Sequence, residues 1–181
     1  HSFPTRRSSD LHFAAGRHGE AQVLLERSLV AMEDAGLRKS HVAMRALSYL
    51  GSVYLVQRRL PEAERVLLEC TAELKKAGMG ESEEMVAPLT NLATVYSYAG
   101  RPAEAEAAYD RAYLLAEASL GSGHPLLADV LRAHAEYAAR QGQKAEARKL
   151  NARARAIQQT LPGRRPATTV DMTELLRQRQ R

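Results

Sequence analysis

The chain has 181 residues, 45% of them hydrophobic, and a formal net charge of +5. That is enough apolar chain for one domain with an extended core, and no apolar run approaches the roughly 18–20 residues needed to span a bilayer. The positive charge is no nucleic-acid footprint: seven arginines cluster in residues 153–181 against Asp171 and Glu174, the chain has no tryptophan, and no aromatic residues interleave with the basic ones for base stacking. The single cysteine, Cys70, excludes an internal disulfide and points to a reducing, cytoplasmic compartment.

Residues 1–11, H-S-F-P-T-R-R-S-S-D-L, have no helical periodicity. They resemble the in-frame translation of a short-read sequencing adapter, which implies a non-native, disordered leader on a truncated gene. On that reading the chain is the C-terminal part of a larger bacterial protein, and a signal peptide upstream is not excluded. Helices follow over 17–35, 39–56, 61–77, 83–98, 102–120, 125–141 and 144–160. Pro61, Pro102 and Pro125 sit where a first helical turn accepts proline, and Glu62, Glu64, Glu104 and Glu106 lie near positive helix N-termini. Beyond residue 160 a breaker-rich linker precedes Asp171-Met172-Thr173-Glu174, whose capping-box spacing predicts a short terminal helix. The domain plan is therefore 1–11, a helical body over 12–160, and 161–181.

The helices repeat. The pair Glu-Ala recurs at Glu20-Ala21, Glu62-Ala63, Glu104-Ala105 and Glu146-Ala147, at intervals of 42 residues. The half-unit before it also recurs, as L-S-Y-L-G-S-V-Y from Leu47, L-T-N-L-A-T-V-Y from Leu89 and L-R-A-H-A-E-Y-A from Leu131. Units of this length cannot bury their apolar face alone and must stack into a solenoid. Between Ala105 and Ser119 the small and apolar positions 105, 108, 109, 112, 115, 116 and 119 paint one stripe on a helix. Small residues at Gly51, Ala93 and Ala135 align with Ala63, Ala105 and Ala147, allowing the two helices of each unit to approach closely.

These positions resemble the tetratricopeptide repeat in the 42-residue form of kinesin light chain. The match runs from about Phe13 to Thr160, as a half repeat plus three repeats, with His134, Ala138 and Asn151 departing from the pattern in the last unit. The resemblance implies an all-α fold, a right-handed α-α superhelix of antiparallel helix pairs, and a protein or peptide partner held in a concave groove. It places Arg45, Ser48, Tyr49, Ser52 and Val56 on that groove from one unit. From the next it places Ala87, Thr90, Asn91, Thr94 and Tyr98, and from the third Asp129, Arg132, Ala133, Glu136 and Arg140. Asn91 matches an asparagine that the family uses to hold a peptide backbone, whereas Tyr49 and Ala133 stand at that place in the other units. Two other readings stay open: a regulatory or sensor domain serving an upstream catalytic or DNA-binding domain, and a homotypic assembly domain. An exposed face on the first helix, lacking its preceding partner, would favour self-association.

Nothing in the sequence calls for an enzyme, a cofactor or a metal. Gly78-Met79-Gly80 links two helices and is followed by Glu83 where a dinucleotide motif needs glycine. His12, His18, His41, His124 and His134 lack metal-ligand spacing. Ser122 lies in Gly121-Ser122-Gly123-His124-Pro125, which resembles the G-x-x-H-P turn of the same family and is no nucleophile elbow.

Overall fold

The computed structural model describes residues 18–160; the expectations for 1–11 and 161–181 lie outside the described residues. Seven α-helices run through the described residues: α1 (His18–Asp34), α2 (His41–Val56), α3 (Leu60–Lys76), α4 (Val86–Tyr98), α5 (Pro102–Leu120), α6 (Pro125–Arg140) and α7 (Lys144–Thr160). The fourth differs from its predicted start, since residues Glu83–Met85 form a 3₁₀ turn before α4. Pro88 explains this. Its missing N–H is harmless in the first α-helical turn, whereas in an α-helix begun at residue 83 its ring would oppose the carbonyl of residue 84.

Several helix starts have a local cause. Ser40, Ser82 and His124 precede successive inner helices at 42-residue intervals. The Ser40 hydroxyl accepts from Ala43 N at 3.2 Å, and His124 Nδ1 accepts from Leu126 N at 3.2 Å, each satisfying a donor that the helix leaves unpaired. His124 followed by Pro125 is thus a cap plus a first-turn proline. The turns inside the units also recur in register: Arg58, Gly100 and Gly142 have φ of +60°, +72° and +77°. A left-handed backbone lets the chain reverse at once, and glycine adopts it without the Cβ clash that Arg58 must bear.

Pairs α2–α3, α4–α5 and α6–α7 pack as hairpins, α1 packs on α2, and α2, α4 and α6 lie side by side as one layer. Ala63, Ala93, Ala105 and Ala135 are fully buried, so the aligned small residues sit where backbones approach. The core runs from Leu25 and Leu29 through Leu47, Leu67, Val95 and Leu131 to Ile157. Tyr109, wholly buried, fills the space between the last units with Tyr137, Ala93 and Ala105. His134 occupies the place of a repeat leucine by stacking on Tyr109, with centroids 4.9 Å apart and planes 5° from parallel. The aromatic face supplies the apolar contact that leucine would otherwise make.

A recurring latch ties neighbouring units. Arg59 and Arg101, 42 residues apart, each begin a second helix and lie over a tyrosine of the preceding one, Tyr54 at 4.6 Å and Tyr96 at 4.3 Å. Arg101 also donates to Glu64 of the previous unit at 2.6 Å, and Arg59 to Gln22 at 3.4 Å. The guanidinium plane serves stacking on one side and hydrogen bonding at its edge. In the last unit Gln143 and Ala138 stand at these places, and Arg153 takes over, donating to Glu117 of α5 at 2.6 Å beside Tyr113.

Candidate functional site

The layer formed by α2, α4 and α6 carries the groove residues read from the sequence, and the structure divides them into three groups. Arg45, Ser48 and Tyr49 are half-buried and border a cavity of about 400 Å³ whose lining also includes Met44, Leu74, Ala87, Leu120 and Leu126. Its floor is apolar, while His41 and Glu84, 3.0 Å apart, stand at its rim. Glu84 is held below the usual carboxylate range, first by a hydrogen bond from Ser82 and then by its own backbone and by His41. Arg45 has no ion-pair partner among the described residues, so its guanidinium is available at the mouth of an apolar hollow. A charged donor beside an apolar floor suits a ligand of mixed character.

The second group joins two units. Asn91 Nδ2 on α4 donates to Ser52 Oγ on α2 at 2.7 Å, and Ser52 Oγ donates in turn to the Ser48 carbonyl at 3.1 Å. Asn91 therefore commits one of its two amide N–H donors, and its other N–H and its Oδ1 keep hydrogen-bonding capacity. Thr90 and Thr94 bind their own helix, donating to the carbonyls of Val86 at 2.8 Å and Thr90 at 3.0 Å. Thr94 also lies 3.0 Å from the Tyr109 hydroxyl. These two hydroxyls are spent internally, an outcome common for threonine inside helices.

The third group comprises Tyr98 at the C-terminal end of α4 and Asp129, Arg132, Glu136 and Arg140 along α6. Tyr98 meets the guanidinium of Arg140 at 4.3 Å from its ring centroid, and Arg140 donates to Ser97 at 2.8 Å. Arg58, absent from the residues singled out by the sequence, stands over the same ring at 4.2 Å. Asp129 and Arg132 pair with each other at 2.7 Å across one turn of α6, and neither they nor Glu136 line the cavity. Arg59 and Arg101 were likewise missed as latch residues. Their 42-residue spacing with a tyrosine five residues earlier in each case was the signal that could have found them.

Cys70 is inert. It is buried, its Sγ donates to the Met44 carbonyl at 3.2 Å, and burial pushes its thiol up to about 12, so the nucleophilic thiolate is suppressed. Among the described residues no group of three or more His, Cys, Asp or Glu side chains is placed to hold a metal, and no helix is long and apolar enough to cross a membrane.

Two tetratricopeptide-repeat family models match the chain, over residues 84–160 and 9–27. No curated protein sequence matches it. BtubC (BKLC) from P. vanneervenii superposes with a TM-score of 0.70 at 21% identity, covering 89% of this chain and 63% of that one. The chain thus spans less than two thirds of BtubC. Two crystal structures of a Podosopora anserina protein described as a putative kinesin light chain with nearly identical TPR-like repeats also match. One, of a point variant, has a TM-score of 0.62 at 24% identity, covering 83% of this chain and 71% of that one. The other has 0.59 at 23%, covering 87% and 74%. Identities this low establish likeness of fold alone, and the family models identify the repeat. With its 42-residue unit, its stacked helix pairs and these matches, the chain is a tetratricopeptide-repeat protein, and its fold is like that of the putative kinesin light chain.

Proposed function

We propose that this chain holds an extended peptide segment of a protein partner along the layer formed by α2, α4 and α6. Tetratricopeptide-repeat chains are scaffolds for protein–protein interaction, and this reading adds the place and the form of the ligand. The observation that carries it is the Asn91–Ser52 hydrogen bond at 2.7 Å. It fixes the amide across two units and leaves Oδ1 to accept a peptide N–H whatever the partner's side chains. The cavity beside Arg45 and Tyr49 then supplies selectivity, through an apolar side chain in the hollow. Exposed apolar residues lie on several helices, and Val23 and Val30, which share one face of α1, support homotypic assembly through that face as a second reading.

The test is peptide display against the full chain, followed by titration of the selected peptides. Asn91→Ala and Arg45→Glu should weaken binding, while Asp110→Ala, exposed on α5, should not. Parent-like binding by Asn91→Ala together with loss in Asp110→Ala would move the interaction to the outer surface.

A further inference from the structure

Arg58, Tyr98 and Arg140 come from the ends of α2, α4 and α6 and meet around one ring. The guanidinium carbons lie 4.2 Å and 4.3 Å from the Tyr98 centroid, so they are at most about 8.5 Å from each other. Like charges this close repel, because the separation is no more than about one Debye length at physiological salt. Neither arginine has an ion-pair partner among the described residues. Arg140 donates only to a neutral hydroxyl, that of Ser97, and Glu136, one turn back on α6, makes no ion pair with it. The nearby helix C-termini contribute partial negative charge, which steadies the two cations without neutralising them.

Arg58 also holds a backbone position with φ +60°, where the next two units have Gly100 and Gly142. Glycine would be unstrained there. In Arg58 the chain bears both a steric cost and an electrostatic one, and the result is a pair of uncompensated guanidiniums flanking a phenol that is 37% exposed.

We propose that Arg58, Tyr98 and Arg140 form a phosphate-binding site that reads a phosphorylated serine or threonine of the partner peptide. A phosphomonoester carries about −1.5 to −2 charge at neutral pH and so matches two guanidiniums, whereas a carboxylate matches one. The planar forks of arginine suit phosphoryl oxygens, and the Tyr98 hydroxyl adds a third donor for the third oxygen. Because both guanidiniums lie over the Tyr98 ring, the phosphate would meet their outer N–H edges and not the space between them. The inference deepens the peptide-groove reading, since Tyr98 and Arg140 belong to the same layer, but it does not depend on Asn91.

The experiment titrates the full chain with inorganic phosphate while following the arginine Nε–H signals by NMR. It then compares three peptide pools with randomised flanks, carrying phosphoserine, serine or glutamate at the centre. Phosphate should shift the Arg58 and Arg140 signals, and the phosphoserine pool should bind at least about tenfold more tightly than either other pool, as expected where a dianion meets two arginine forks. Arg58→Gly should abolish that preference while keeping or raising the melting temperature, because it relieves the left-handed strain; Arg140→Gln should abolish it too. Asn91→Ala should weaken all pools alike and leave the preference intact. If Asn91→Ala changes nothing while the preference stands, the groove reading fails and the phosphate site survives. Unmoved arginine signals, an undiminished preference in Arg58→Gly, or a glutamate pool as tight as the phosphoserine pool would each overturn the proposal.

Discussion

A methyl group added to Gly51 would sit 2.5 Å from both Cγ and Cδ2 of Leu67. Leu67 is wholly buried, so α2 and α3 touch there through a glycine. Alanine favours a helix over glycine by about 1 kcal/mol, yet overpacking a tight core costs about 1–3 kcal/mol. Gly51→Ala should therefore lower stability despite its better propensity. Ala105→Leu, at a fully buried small position, should do the same by about 1–3 kcal/mol, while Ala103→Leu, exposed two residues earlier, should stay within about 0.5 kcal/mol. Chemical denaturation midpoints check all three, and equal midpoints for the two alanine variants would show the packing register to be wrong.

Asn91 has a structural part as well as a binding part. Its side chain bonds Ser52 across two units, so Asn91→Ala should cost about 0.5–1.5 kcal/mol of stability, the net worth of a typical hydrogen bond. Peptide binding should weaken by about 1–3 kcal/mol, since a partner N–H is left unpaired. Thermal melts and calorimetric titration of one sample separate the two losses. Ser52→Ala should reproduce the stability loss with a smaller effect on binding.

Alkali should destabilise the fold. Burial pushes Cys70 from 9.0 up to about 12, and burial with the hydrogen bond to Glu26 pushes Tyr54 from 10.0 to about 12. Both folded values are raised, so this contribution is fully present below about pH 9. It is lost as pH rises towards 12, where the unfolded chain has already released protons that the folded chain keeps. Melting temperatures measured across that range should fall, and Cys70→Ala should soften the fall by removing one titrating group. A melting temperature that stays flat up to about pH 12 would refute this account.

Acid acts through the carboxylates. Glu104 is depressed by its hydrogen bonds from Arg101, Glu62 by Arg59, and Glu117 by Tyr113 and then Arg153. Depressed folded values mean that the stabilisation is present above the ordinary carboxylate range and lost as pH falls below it. Arg101→Met should flatten the acid limb of a melting-temperature profile and reduce its sensitivity to salt. An acid limb identical to that of the parent would show that the latch contributes nothing measurable.

The 42-residue spacing, the helix spans and the small residues at the helix contacts were legible because each follows from local periodicity and side-chain volume. Pro88 carried enough information to place the 3₁₀ turn at Glu83–Met85, though helical periodicity alone read through it. Asn91 could be singled out by its repeat position, but its bond to Ser52, 39 residues away, depends on how far each unit rotates against the last. The same rotation brings Arg101 to Glu64 and gathers Arg58 and Arg140 around Tyr98. Sequence spacing thus determined which residues share a helix face. Only the tertiary stack decided which faces meet, because the superhelical angle emerges from the packing of all the side chains between neighbouring units.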